Sequence, residues 1–242
     1  RDFCLSRGLG DVYKRQLFTR RALDVCARGA LEHLHAECGD WCCPLPVWHV
    51  GGAMIYLRAA LAGTAVHALH GRWNPQAYAD LMKSSGACWS SLVPTQVVDL
   101  VNLRLRAPST AGCIIVGGGA LDMETGRKAR ALGWPVVQSY GMTESGSQLA
   151  TAFPGDPYHT DCLSLLPHWE AKTDEDGLLR FQGEGKLCGR LMTQPHGGFL
   201  LERVEPQEWW STRDLVRLEG RLLTFLRLSL IHISEPTRQA EI

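Results

Sequence analysis

GCIIVGGGALDMETGRKARALGWPVVQSYGMTE, residues 112–144, is the stretch that decides the fold. A short apolar run, Gly112–Val116, leads straight into three glycines, Gly117, Gly118 and Gly119. A helix-spaced segment over Met123–Leu132 follows, and then a second apolar run over Pro135–Ser139. Strands that are apolar throughout bury both faces, so two of them flanking a helix point to a parallel sheet covered on both sides. Glycines directly after a buried strand let a ligand approach bare backbone at the carboxyl end of such a sheet. The dinucleotide fingerprint GxGxxG is absent, so the glycines alone do not name the ligand.

The same rhythm extends towards the N-terminus. Arg21–Glu37 carries Leu23, Cys26, Ala27, Ala30, Leu31 and Leu34 at helical spacing and is closed by Gly39. Trp41–Pro46 reads as a strand, Met54–Leu61 as a helix and Ala65–Leu69 as a strand. Pro75–Ser84 reads as a helix capped by Asn74, with proline at its first position. Ala87–Leu92 is the next predicted strand and Thr95–Leu103 the next helix. Beyond Tyr158 the segments shorten to strands at Glu170–Thr173, Leu178–Gln182 and Leu222–Leu226. The expected fold class is therefore α/β, a mostly parallel sheet with helices on both faces plus a smaller β-rich subdomain. Residues 17–158 form the α/β core and 159–227 the subdomain, with Pro154–His159 as boundary.

Composition fits a folded domain. The 242 residues are 45% hydrophobic with eight Trp, enough apolar matter to offset the entropy of ordering. Lys+Arg 25 balances Asp+Glu 25, which argues against a nucleic-acid or anionic-membrane binder. Val50–Leu69 is apolar enough to suggest a membrane span. Arg58 near its middle would cost about 2.5–3.5 kcal/mol there, and glycines break the run, so a buried helix is expected. Nine Cys occur without a CxxC pair. His33, His35, Cys38, Cys42 and Cys43 are either a metal cluster or, as their spacing favours, small buried side chains around an ordinary helix. Reduced thiols suit a cytoplasmic protein.

The two ends read differently. Residues 1–16 (RDFCLSRGLGDVYKRQ) show neither helical nor strand periodicity, and the tail from Leu228 follows a patterned segment with an unrelated one. Both resemble translated sequencing-adapter DNA, so 1–16 and 228–242 are expected to add nothing to the core. The informative chain then runs from about Leu17 to Arg227 and reads as an internal fragment of a longer protein.

The chemistry-bearing residues follow the second apolar run: Ser139, Tyr140, Gly141, Thr143 and Glu144. A loop hydroxyl beside a carboxylate suits a phosphate and its Mg²⁺, with Thr143 donating and Glu144 holding the metal. A capping pair, with Thr143 or Ser145 starting a helix, is the alternative. VVQSYGMTESG resembles the YGxTE motif of the adenylate-forming ligases, which include acyl- and aryl-CoA synthetases. LPVWHVGG at 45–52 resembles their "LPLFHVGG" segment, and IIVGGGAL resembles the strand and glycines that hold adenine. Trp210–Leu215 (WSTRDL), with the later Leu218-Glu219-Gly220-Arg221, resembles "WYxTGDxxxxxDG". Within this family the likeness is strongest to 2-succinylbenzoate–CoA ligases, on SLVPTQ at 91–96 and on Arg213 in a "TRD" variant.

The resemblance implies ATP, Mg²⁺ and CoA as co-substrates and a small carboxylic acid as partner, with no nucleic acid and no integral membrane segment. It leaves a homo-oligomer open. It implies that Thr143 contacts phosphate, that Glu144 holds Mg²⁺ and that Asp214 binds the ribose. Tyr140 stacks on adenine, with Gly117, Gly118, Gly119, Gly141 and Arg227 completing the nucleotide site. It puts His49 beside the reacting carboxylate, where the alternative is a satisfied core histidine. Trp48, Ser91, Thr95, Gln96 and Ser139 line the acyl pocket. A second substrate carboxylate would need partners, for which Ser91, Thr95 and Arg58 are candidates, Arg58 being otherwise a solvated helix residue. The family's glycine-rich phosphate loop and its C-terminal lid lysine do not occur in these 242 residues, so the chain alone is expected to be inactive. A general aryl- or fatty-acid ligase and a non-catalytic nucleotide-binding domain are the rival readings.

Overall fold

The computed structural model describes residues 3–7, 14–194, 198–205 and 207–228. Its α-helices are α1 (Arg20–Leu34), α2 (Val50–Ala62), α3 (Pro75–Ser85), α4 (Pro94–Asn102) and α5 (Met123–Ala131). The strands begin with β1 (Phe3–Arg7), β2 (Lys14–Phe18), β3 (Trp41–Cys43), β4 (Val66–Ala68) and β5 (Trp89–Leu92). β6 (Cys113–Val116), β7 (Val136–Tyr140), β8 (Ala150–Thr151), β9 (Leu163–Leu165) and β10 (Glu170–Thr173) follow. The last are β11 (Leu178–Gln182), β12 (Gly189–Thr193), β13 (Phe199–Arg203), β14 (Trp210–Glu219) and β15 (Leu222–Leu228).

Eleven of these strands make one sheet, in the order β10-β11-β14-β15-β9-β8-β7-β6-β5-β3-β4. From β4 to β7 neighbouring strands are parallel. From β8 outward they are antiparallel. These five parallel strands are separated in sequence by helices α2 to α5, as a parallel crossover requires. Side chains alternate across the sheet with the period of two that a strand imposes. On β6, Cys113 and Ile115 face the core that holds Leu23, Leu34, Met54 and Ile55 of α1 and α2. Ile114 and Val116 face the core of Tyr78, Met82, Val97, Leu100 and Ala129 from α3, α4 and α5. Helices thus cover both faces, as the sequence pattern predicts.

The helices start where their caps put them. Thr19 Oγ1 accepts the Ala22 N–H at 3.0 Å, Asn74 Oδ1 the Ala77 N–H at 2.8 Å, and Asp122 Oδ1 the Thr125 N–H at 2.8 Å. α1 stops at Leu34, short of the predicted Glu37, because His35 takes the left-handed conformation and donates back to the last turn. α2 opens four residues earlier than predicted, at Val50. Gly52 permits this, since a Cβ there would lie 2.2 Å from the Pro46 carbonyl oxygen. α2 has 13 residues, and among the described residues no helix is long and apolar enough to cross a membrane.

Two expectations need correction. Residues 3–7 and 14–16 are not outside the fold: β1 and β2 pair with each other and β2 pairs with β12, in a separate sheet β1-β2-β12-β13. Gln16 is buried there, and Phe18 is fully enclosed. Backbone pairing to an existing strand edge needs no side-chain periodicity, which is why the pattern did not show it. The tail beyond Leu228 lies outside the described residues. The change in strand character also falls at the β7–β8 junction, before Pro154–His159. The β-rich part continues the same sheet through β8 and β9.

Candidate active site

Four connections leave the carboxyl ends of β3, β5, β6 and β7, and together they carry most of the residues singled out from sequence. These parallel strands lie side by side in the order β3-β5-β6-β7, so their loops converge on one edge of the sheet. This is the edge at which open α/β sheets bind ligands. Trp48 and His49 follow β3, Thr95 and Gln96 follow β5, and Gly117–Gly119 follow β6. Gly141, Thr143 and Glu144 follow β7.

The loop after β7 is tightly determined. Gly141 sits where a Cβ would come within 1.9 Å of the Ser147 carbonyl oxygen, and Ser147 itself has φ 102°. A short 3₁₀ turn spans Thr143–Ser145. Its capping is done by Ser145, whose Oγ accepts the Met142 N–H at 3.1 Å. Thr143 therefore does not cap the turn, and among the described residues its hydroxyl has no hydrogen-bond partner. Glu144 is half-buried, with Oε1 accepting from Gln16 Nε2 at 3.3 Å. One hydroxyl and one carboxylate stand side by side on the loop with most of their hydrogen-bonding capacity unspent.

At the end of β7, Tyr140 donates its hydroxyl to Asp214 Oδ2, and its ring stacks on Phe225 with centroids 5.7 Å apart. Burial, reinforced by the Asp214 charge, raises the Tyr140 phenol above its ordinary pKa, so it stays a donor. Asp214 comes from β14, 74 positions away in sequence, and β15 beside it carries exposed Arg227 opposite Leu215. Gln138, absent from the sequence-predicted set, pins the glycine loop to β7. Its Nε2 donates to the Gly119 carbonyl at 3.0 Å, and its Oε1 accepts the Leu121 N–H at 3.1 Å. No atom other than its own chain neighbours lies within 4 Å of a Cβ built on Gly117, so that stretch of backbone faces open space.

Arg58 is 1% exposed, so the reading of a solvated helix residue is excluded. Its Nη2 donates to Gln148 Oε1 at 2.5 Å, its Nε has no partner, and its guanidinium lies 5.8 Å from the Trp41 ring centroid. Burial pushes its pKa down to about 10, which leaves it cationic at neutral pH. Ser91 Oγ is also buried without a partner. Ser139 Oγ pairs with Thr151 Oγ1 at 2.9 Å and is committed to that network. Gln96 is committed too: its Oε1 accepts the Val93 N–H at 2.9 Å and so caps α4. Trp48 is 65% exposed, and His49 and Thr95 are exposed as well. His49 is therefore no satisfied core histidine, and no hydrogen bond joins it to the β7 loop among the described residues.

The His/Cys cluster does not assemble. Cys42 and Cys43 face opposite cores across β3. His33 is buried with Nε2 2.9 Å from the Thr151 carbonyl oxygen and its ring stacked on Phe153, while Cys38 is exposed. Burial pushes the Cys42 thiol up to about 12, as expected of a small apolar side chain.

Comparison with known proteins decides the family. The AMP-binding enzyme family model matches residues 17–193, well over half of the chain. The chain belongs to the AMP-binding enzymes. A 2-succinylbenzoate–CoA ligase of Bacillus licheniformis is 32% identical to it over 165 residues, 64% of this chain and 34% of the relative. E. coli MenE, solved with a phenylether-linked analogue of OSB-AMS, superposes with TM-score 0.74 at 25% identity, covering 93% of this chain and 47% of its own. MenE of Bacillus subtilis, solved with ATP and magnesium ion, superposes with TM-score 0.77 at 22% identity over 93% of this chain and 49% of its own, a likeness of fold. The chain therefore spans a third to a half of the length of these AMP-binding relatives. Its mixed sheet is the one they share.

Proposed function

We propose that this chain is the nucleotide- and acid-binding part of an ATP-dependent acid–CoA ligase whose acid is 2-succinylbenzoate. In the first step the acid's carboxylate attacks the α-phosphorus of ATP, forming an O–P bond and expelling pyrophosphate. The CoA thiol then attacks the acyl carbonyl, forming the thioester and releasing AMP. Such chemistry needs positioning and charge stabilisation more than covalent help.

The residues fit those needs. The hydroxyl of Thr143, spare in this fold, contacts phosphate, and Glu144, with its single neutral side-chain partner, holds Mg²⁺. Mg²⁺, when bound, offsets phosphate charge. Asp214 takes the ribose hydroxyls. The Tyr140 ring and the open backbone of Gly117, Gly118 and Gly119 border adenine, while Gly141 and Arg227 complete that end of the site. His49 and Trp48, exposed beside the entrance to α2, flank the reacting carboxylate. Ser91, Thr95, Gln96 and Ser139 line the acyl pocket, Gln96 and Ser139 by holding its walls. The thiol-rich composition suits the reducing cytoplasm.

One observation carries the choice of acid. Arg58 is a buried cation whose side-chain partner is a neutral amide, with no carboxylate in ion-pair reach among the described residues. A buried charge is stable only when compensated, and the distal carboxylate of a succinylbenzoate supplies what the protein omits. A fatty acid or a plain benzoate would leave Arg58 unpaired. Calorimetry on the 242-residue chain with non-hydrolysable acyl-AMP analogues tests this. The succinylbenzoyl analogue is expected to bind at least about tenfold tighter than the benzoyl or octanoyl analogues, a difference of ~1.4 kcal/mol. Equal binding of the octanoyl analogue would establish the general ligase instead.

A further inference from the structure

Gln148 lies outside every motif quoted above, yet it is 4% exposed and holds three side-chain hydrogen bonds. Its Oε1 accepts from Arg58 Nη2 at 2.5 Å. Its Nε2 donates to Thr151 Oγ1 at 2.8 Å and to Ser139 Oγ at 3.3 Å. Those two hydroxyls are themselves paired at 2.9 Å. The amide can face only one way, because a guanidinium is purely a donor and an NH₂ turned towards it would be buried unsatisfied. The backbone is fixed as well. The Gln148 carbonyl accepts the Trp169 indole N–H at 3.0 Å, and the turn preceding it is locked by Ser147 at φ 102° against Gly141.

We propose that Gln148 is a positioning residue for acid recognition: it orients the Arg58 guanidinium towards the acid pocket without neutralising it. The proposal rests on the reading that Arg58 receives the substrate's distal carboxylate. A carboxylate at position 148 would give Arg58 a resident counter-ion and remove its need for a ligand. An apolar side chain would leave the guanidinium with no partner to set its angle, and a bidentate carboxylate contact depends on that angle. A neutral acceptor does neither. Arg58 keeps its full charge and its unpartnered Nε, and the orphaned Ser91 hydroxyl is buried on the neighbouring strand β5. The same loop that presents Thr143 and Glu144 outward thus reaches inward through Gln148 to the acid end, so both ends of the site share one rigid piece of backbone.

The readout is a preference: the affinity of the chain for the succinylbenzoyl-AMP analogue divided by its affinity for the benzoyl-AMP analogue. A residue that merely fills space would change stability without changing this ratio. Gln148→Glu is expected to cut the preference at least about tenfold while the chain stays folded, because it supplies an ion-pair partner in place. Gln148→Leu is expected to cut it by a similar factor. Thr151→Val, which removes one anchor of the amide and keeps the shape, is expected to give a smaller drop of about threefold and serves if either Gln148 variant fails to fold. An unchanged ratio in the folded variants overturns the positioning role. A wild-type chain with no preference for the second carboxylate overturns the Arg58 reading and this inference with it.

Discussion

In the parallel half of the long sheet, β5 and β6 are buried at every position, whereas β10 lies mostly in solvent and β14 is enclosed at a single one of its ten residues. The parallel half is walled by helices on both faces, so its central strands are buried on both sides and their polar residues, such as Ser90 and Gln138, are enclosed. The antiparallel half anchors itself on a few large enclosed side chains, Trp169, Leu179, Phe181 and Leu223, and leaves much of its outer strands exposed. That contrast explains how the work is divided. The dry half holds buried Arg58, whose charge gains force from low dielectric. The wet half brings Asp214 to the end of β7, where it accepts the Tyr140 hydroxyl. The β7 loop joins the two.

If the antiparallel half depends on so few anchors, removing one should be costly. Trp169→Ala is expected to lower unfolding free energy by about 3–5 kcal/mol in a denaturant titration, since a fully enclosed indole and its bond to the Gln148 carbonyl are lost together. A loss below about 1 kcal/mol would break the comparison. Leu226→Ala, on the exposed side of β15, should stay within about 0.5 kcal/mol and marks the baseline.

The next effect is a pH dependence in the same half. His168 packs between Gly29 and Gly185 with both ring nitrogens unpartnered, and burial, aided by the Arg221 charge, lowers its pKa from 6.5 to about 4. The folded state holds the ring neutral while the unfolded chain takes up a proton. Its stabilising effect is therefore complete above pH 6.5 and is lost as pH falls from 6.5 towards 4. His33, also lowered by burial, acts in the same direction. The expected loss is on the order of 2–3 kcal/mol across that window. His168→Leu should flatten the slope, and an unchanged slope would assign the acid sensitivity elsewhere.

Smaller effects sharpen the parallel half. Asn74→Ala removes the α3 cap and should cost about 1 kcal/mol, read as a shift in denaturation midpoint. Glu144→Gln should cost under about 0.5 kcal/mol, because Ser145 and not Glu144 caps the 3₁₀ turn. In the same variant, the extra thermal stabilisation that MgATP gives over ATP alone should vanish. Persistence of that increment would remove Glu144 from metal binding, and a stability loss near 1 kcal/mol would restore the capping alternative.

The difference between the halves also sets what could be read beforehand. All five helices and the strands β3 to β7 were legible, because two-faced burial writes continuous apolar runs and helical stripes into the residues. β10 and β11 were legible from local alternation and β15 from its apolar run. β2, β8, β12 and β13 were not, since short strands can be held by backbone pairing that any side chains permit. Tyr140, Thr143, Glu144 and Asp214 stood out through motif order. Gln138 and Gln148 did not, because one amide in an apolar stretch has no period and its role exists only once its partners surround it.

By itself, then, the sequence determined the α/β class, the parallel run of strands and the loops that carry chemistry, since these follow from local periodicity and from motifs contiguous in the chain. Tertiary structure alone decided that the sheet runs unbroken from β4 to β10, that residues 14–18 are built into the fold, and that Arg58 is buried against Gln148, 90 positions away. The reason is physical. Burial and hydrogen-bond satisfaction are properties of a side chain's neighbours, and for Arg58, Gln148, Tyr140 and Asp214 the neighbours that matter are assembled only when distant strands close the sheet.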